Sequence, residues 1–138
     1  MAELYIGQEA EASKCFTMEE VRQFAGLSGD DNPLHVDEEY AEKGRFGRCV
    51  VHGILVSGVI SKVLGTQLPG AGSIYLEQNL SFRKPVYVGD TVTARIRITE
   101  IQPEKKIITL ETNVYDQEEK CVILGTAKIL YEGAMNHG

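Results

Sequence analysis

The chain has 138 residues, 43% of them apolar and 25% charged. That is the size and balance of one globular domain over residues 1–138, with enough apolar material for a core and no room for a separate cofactor domain. Lys and Arg number 14 against 20 Asp and Glu, a formal charge of −6, which argues against a nucleic-acid-binding face. Cys15, Cys49 and Cys121 are odd in number and widely spaced, so neither a disulfide framework nor a CxxC zinc site is expected, and a reducing, cytoplasmic setting is.

Met1–Ala10 contains Glu3 and Glu9 and no basic-then-apolar run, so no secretory signal is expected. Thr17, three residues before Glu20, has the spacing of a capping box, and Val21, Phe24, Ala25 and Leu27 follow at helical intervals. The pattern predicts an amphipathic helix over residues 18–27. Ser28-Gly29-Asp30-Asp31-Asn32-Pro33-Leu34-His35 is built of turn formers, and Pro33 pushes its predecessor out of helical geometry, so this stretch reads as a loop. A short helix is expected from about Asp37, through Ala41, to Gly44.

Val50–Leu68 is apolar nearly all the way round, the mark of a buried helix. Its uninterrupted apolar run falls well short of the ~18–20 residues a bilayer requires, and Lys62 lies within it, so no membrane span is expected. Pro69-Gly70 ends it. Beyond Gly72 the period changes to two, and strands are predicted over 73–83, 91–101, 106–115 and 120–131, with Val92, Ala94, Ile96 and Ile98 on one face of the second. The connections are too short for crossover helices, so the sheet should be antiparallel. The expected class is α+β: one long central helix, then a meander of strands in a twisted sheet wrapped around it.

Chemistry has few places to sit. No GxGxxG follows a strand, so no nucleotide cofactor is implied, and no GxSxG elbow is present. A calcium loop starting at Asp30 fails because Leu34 stands where an oxygen ligand is needed, so no metal is expected. Asp30, Asn32 and His35 remain. A carboxylate beside an imidazole is equipped to orient water, take its proton and return one, and imidazole titrates near ~6.5 when unperturbed. The plainer alternative is that Asp and Asn serve only as caps and turn formers. His52-Gly53 opens the buried helix, where free N–H groups and the positive end of the dipole favour a developing oxyanion and a missing Cβ lets it approach. Gly53 could equally serve close packing, and Ser57 and Ser61 could simply bond back to their own helix.

The segments Ser28–His35, Val51-His52-Gly53, Ser73-Ile74-Tyr75, Leu80-Ser81-Phe82 and Pro85-Val86-Tyr87-Val88-Gly89-Asp90 together resemble the MaoC-like (R)-specific enoyl-CoA hydratases, from about residue 16 to 130. The resemblance implies a hotdog fold, a homodimer, and hydration of trans-2-enoyl-CoA to (R)-3-hydroxyacyl-CoA without metal or cofactor, the acyl group carried on coenzyme A or an acyl carrier protein. It matches Asp30 and His35 to the catalytic pair and Gly53 to the residue whose N–H holds the thioester carbonyl. Asn32 would support the loop, and Ser61 and Leu64 match helix positions near the active site and acyl pocket. Asp31 adds a second carboxylate with no assigned role. The same fold hosts thioesterases, which generally carry a carboxylate on the central helix; Gly53–Leu68 has none. A non-catalytic acyl-thioester binding module would have no need of both Asp30 and His35. Arg45, Arg48, Arg83 and Lys84 are the basic residues available for coenzyme A phosphates.

Overall fold

The computed structural model describes residues 3–133; residues 1–2 and 134–138 of the expected 1–138 domain lie outside the described residues. In chain order the elements are β1 (Glu9–Cys15), α1 (Met18–Ser28), α2 (Pro33–Val36), α3 (Glu38–Glu42), α4 (Gly53–Thr66), β2 (Ile74–Phe82), β3 (Thr91–Gln102), β4 (Ile107–Tyr115) and β5 (Cys121–Leu130). The expected capping box forms: Thr17 Oγ1 accepts from the Glu20 N–H at 3.2 Å and the Glu20 carboxylate accepts from the Thr17 N–H at 3.0 Å. Gly29, in the left-handed region at φ 85°, closes α1, a conformation in which a Cβ would be strained.

The five strands form one antiparallel sheet in the order β1-β3-β4-β5-β2. Helix α4 lies against β1, β3 and β4. Its Val56, Val59, Ile60, Val63 and Leu64 enter the core with Val92, Ala94, Ile96 and Ile98 of β3, Ile108, Leu110 and Val114 of β4, and Ile123 and Ile129 of β5. Each fully buried aliphatic side chain contributes about 1.5–3 kcal/mol, so this helix–sheet contact is the main stabilising feature. A long helix wrapped by an antiparallel sheet is the hotdog fold.

Four local expectations need correction. Strand β1 was not anticipated. Its Glu-Ala-Glu-Ala-Ser-Lys-Cys lacks β-branched and aromatic residues, and it forms because β3 offers an edge, Ser13 meeting Thr93 hydroxyl to hydroxyl at 2.7 Å. The 28–35 stretch is not all loop: Pro33 takes the first position of a helical turn and the Asn32 side chain caps it, the place where a proline's missing N–H costs nothing. The strands are not a simple meander. After β2 the chain crosses beside the start of α4, with the Val51 N–H bonded to the Val86 carbonyl at 2.7 Å and a bridge between Val50 and Tyr87. It therefore enters the sheet at β3, away from β2, which pairs with β5 alone. Finally, α4 is buried on one side only: Ile54 is 60% exposed, and Gly58, Ser61 and Gly65 also face outward.

Candidate active site

The loop after α1 is wound by its own short polar side chains. The Asp30 N–H donates to Ser28 Oγ at 3.1 Å, the Asn32 N–H to Asp30 Oδ1 at 3.3 Å, and the Leu34 N–H to Asn32 Oδ1 at 3.1 Å. Asp30 thus keeps its carboxylate beside its own turn while remaining exposed, and Asn32 starts α2, which carries His35 in its last turn. His35 is half-buried, and its Nδ1–H donates to the Val50 carbonyl at 2.7 Å. A carbonyl only accepts, so Nδ1 carries a proton, and in the neutral imidazole Nε2 then keeps a lone pair, the form a general base needs.

Val50 and Val51 lead straight into α4. His52 is its N-cap residue yet makes no capping hydrogen bond with its side chain. The first turn of α4, beginning at Gly53, therefore keeps free N–H groups and the positive end of the helix dipole. Gly53 also lets Phe82 close over it: a Cβ there would lie 2.6 Å from Cε1 of Phe82 and push the ring aside. Phe82, at the end of β2, stays 51% exposed, and its ring forms a wall over the helix start.

A cleft of about 660 Å³ is lined by His35 and Gly53, by the apolar Phe46, Ile54 and Phe82, and by the cations Arg45, Arg83 and Lys84, with Asp30 outside that lining. Arg48 is engaged elsewhere, its guanidinium 4.0 Å above the Tyr87 ring. The Asp30 carboxylate and one nitrogen each of His35 and His52 lie within 4.8 Å of one another. That set is a poor chelate. The two imidazoles are stacked, centroids 3.9 Å apart and planes 25° from parallel, so their in-plane lone pairs run alongside each other instead of converging on an ion.

The anticipated residues are thus distributed unevenly. Asp30 and His35 meet His52 at the start of α4, His35 shares the cleft with Gly53, and Asn32 is the cap of α2. Ser61 lies two turns farther along, on the exposed side of the helix, beside a shallow groove with Ser57, Tyr75, Leu76 and Leu80. Leu64 is 1% exposed and points into the core. Sequence reasoning did not single out Phe82 as a cleft wall, because no local pattern reveals which strand end will meet a helix start. The burial of His52, 2% exposed, was signalled by the apolar residues on both sides of it.

A family profile for the MaoC like domain matches residues 4–120. The (R)-specific enoyl-CoA hydratase of Aeromonas caviae is 47% identical over 126 residues, covering 91% of this chain and 94% of that protein. The (R)-specific enoyl-CoA hydratase of Rhodospirillum rubrum is 45% identical over 127 residues, covering 92% of this chain and 82% of that protein. A solved structure of an (R)-hydratase from A. caviae involved in PHA biosynthesis superimposes with a TM-score of 0.91 at 46% identity, over 93% of this chain and 97% of that one. With a profile spanning most of its length and relatives this similar along nearly all of theirs, the chain belongs to the MaoC-like family.

Proposed function

We propose that this protein is an (R)-specific enoyl-CoA hydratase, adding water to trans-2-enoyl-CoA to give (R)-3-hydroxyacyl-CoA, with Asp30 and His35 as catalytic pair and Gly53 as oxyanion donor. The observation that carries it is a carboxylate beside an imidazole at the start of α4, where that imidazole and a bare helix N-terminus line one cleft. The thioester carbonyl accepts a hydrogen bond from the Gly53 N–H. This draws electron density from the conjugated double bond and makes C3 electrophilic. Asp30 and His35 hold one water over C3. Its oxygen bonds to C3, the π pair moves toward the carbonyl oxygen as an enolate, and the Asp30–His35 pair takes one proton from water and returns one to C2. The oxyanion forms at the positive end of α4; losing such a donor typically costs about 3–4 kcal/mol in the barrier. The addition is redox-neutral, so these groups suffice without a cofactor.

Arg45, Arg83 and Lys84 at the rim suit the phosphates of a coenzyme A thioester within an otherwise acidic protein. An acyl-carrier-protein thioester presents the same pantetheine arm, and comparing the two carriers in one assay ranks them. Ser61, on the exposed side of α4, is proposed to line the acyl pocket once a second copy covers this side, with Leu64, buried beneath it in the core, backing the pocket from within. The homodimer is supported by the free edge of β2, whose Ile74, Tyr75, Leu76 and Phe82 are exposed, next to exposed Ile54 on α4. An apolar edge of this kind invites pairing with its own copy. All three cysteines are free thiols, in keeping with a cytoplasmic enzyme.

The test uses purified protein and trans-2-butenoyl-CoA. Loss of the enoyl absorbance without release of free thiol is the expected result. Asp30→Asn and His35→Gln each lower kcat at least a thousandfold while retaining the wild-type circular dichroism spectrum, since neither side chain is part of the core. Free coenzyme A thiol would identify a thioesterase instead. Unchanged absorbance with saturable binding would leave only a binding module, and full activity in either variant would overturn the site assignment.

A further inference from the structure

We infer that His52 is a positioning residue that ties the Asp30–His35 loop to the start of α4. The inference rests on the hydratase reading and adds to it a residue with no direct part in the chemistry. His52 is 2% exposed and occupies the N-cap position of α4, yet its side chain caps nothing in its own helix. It turns toward the loop: Nε2–H donates to the main-chain carbonyl of Asp30 at 2.9 Å. Its ring stacks on that of His35 at 3.9 Å, and Phe24 of α1 meets it edge-on, centroids 4.8 Å apart and planes 64° from parallel. One side chain therefore touches Asp30 through its backbone and His35 through its ring, and it is bonded directly to Gly53.

The other tethers of the loop show why this contact matters. Within 28–35 the hydrogen bonds are local, made between residues two or three apart. Val50 holds the far end, through its N–H to the Leu34 carbonyl at 3.4 Å and its carbonyl to His35 Nδ1 at 2.7 Å. Among the described residues, the near end, at Asp30, meets the start of α4 through His52. Packing alone does not account for an imidazole here. With Nε2 donating, Nδ1 is bare, and it is buried without a partner, whereas buried polar atoms are nearly always paired. A phenylalanine or leucine would fill the space with no orphaned nitrogen. What they lack is the in-plane N–H that fixes Asp30.

Two variants separate the donor from the ring. His52→Phe keeps a flat ring against His35 and removes the N–H; His52→Gln keeps an N–H and removes the ring. With trans-2-butenoyl-CoA, H52F is expected to lose tenfold or more in kcat with KM within threefold of wild type, and H52Q to retain a higher kcat than H52F. In the wild-type protein, ¹⁵N NMR of the imidazoles is expected to show the Nε2–H tautomer for His52 and the Nδ1–H tautomer for His35. An H52F kcat within twofold of wild type, even with a changed melting temperature, would reduce His52 to a packing residue and overturn the proposal. So would an Nδ1–H tautomer at His52, a result that needs no variant to fold. Wild-type protein that leaves the enoyl absorbance unchanged would count against the hydratase reading instead, and the tautomer would still decide the His52 contact.

Discussion

Single residues set the geometry at both ends of α1. Thr17 and Glu20 satisfy each other's N–H groups, which orients the helix that delivers the Asp30 loop. Thr17→Ala is expected to destabilise the protein by about 1 kcal/mol in urea melts at neutral pH. Glu20 adds a pH dependence. The Lys14 ammonium and the Thr17 N–H hold its carboxyl below the usual carboxylate range. A depressed folded value means that its contribution is fully present above the unfolded value and is lost as pH falls through the folded one. Glu20→Gln should therefore lower stability at pH 7, with the difference from wild type shrinking as the pH falls through the acid range; a loss that does not change with pH would show that charge is not involved. The capping box was legible because it is local chemistry at a fixed spacing. The His52–Asp30 contact was not, because it joins residues 22 apart through a main-chain carbonyl that leaves no trace in residue type.

At the scale of elements, the amphipathic strands β3 and β4 and the apolar core of α4 were legible, since alternation and unbroken hydrophobicity report burial directly. Pairing was less so. Strand β2 has the same alternating look as its neighbours, but its place at the sheet edge follows from the crossing at Val51 and Val86, a long-range contact. The expectation that α4 is buried all round confused two kinds of burial. The side toward the sheet is sealed within one chain, while Ile54 and the small residues Gly58 and Gly65 stay open beside the apolar edge of β2. A second copy is proposed to cover that side. Leu76→Glu, which places a charge on the exposed edge strand, is expected to shift micromolar protein from dimer to monomer in sedimentation velocity. Wild-type protein sedimenting as a monomer at the same concentration would contradict the dimer.

Over the whole molecule, the cleft was only half legible. The residues proposed to carry its chemistry stand out in the sequence as the Asp30–His35 spacing and as a glycine opening an apolar helix, both short-range features. Its walls were not: Phe82 over Gly53, and Arg45, Arg83 and Lys84 around the rim, are supplied by segments far apart in the chain. A single small domain is sufficient for hydration, which needs one carboxylate, one imidazole, one helix terminus and a water. Where that water's oxygen goes is the most direct test of the account. With trans-2-butenoyl-CoA in H₂¹⁸O, mass spectrometry should find the label at C3 of an intact 3-hydroxyacyl-CoA thioester, in the R configuration by chiral chromatography. Label in a free carboxylate, with coenzyme A released, would contradict it.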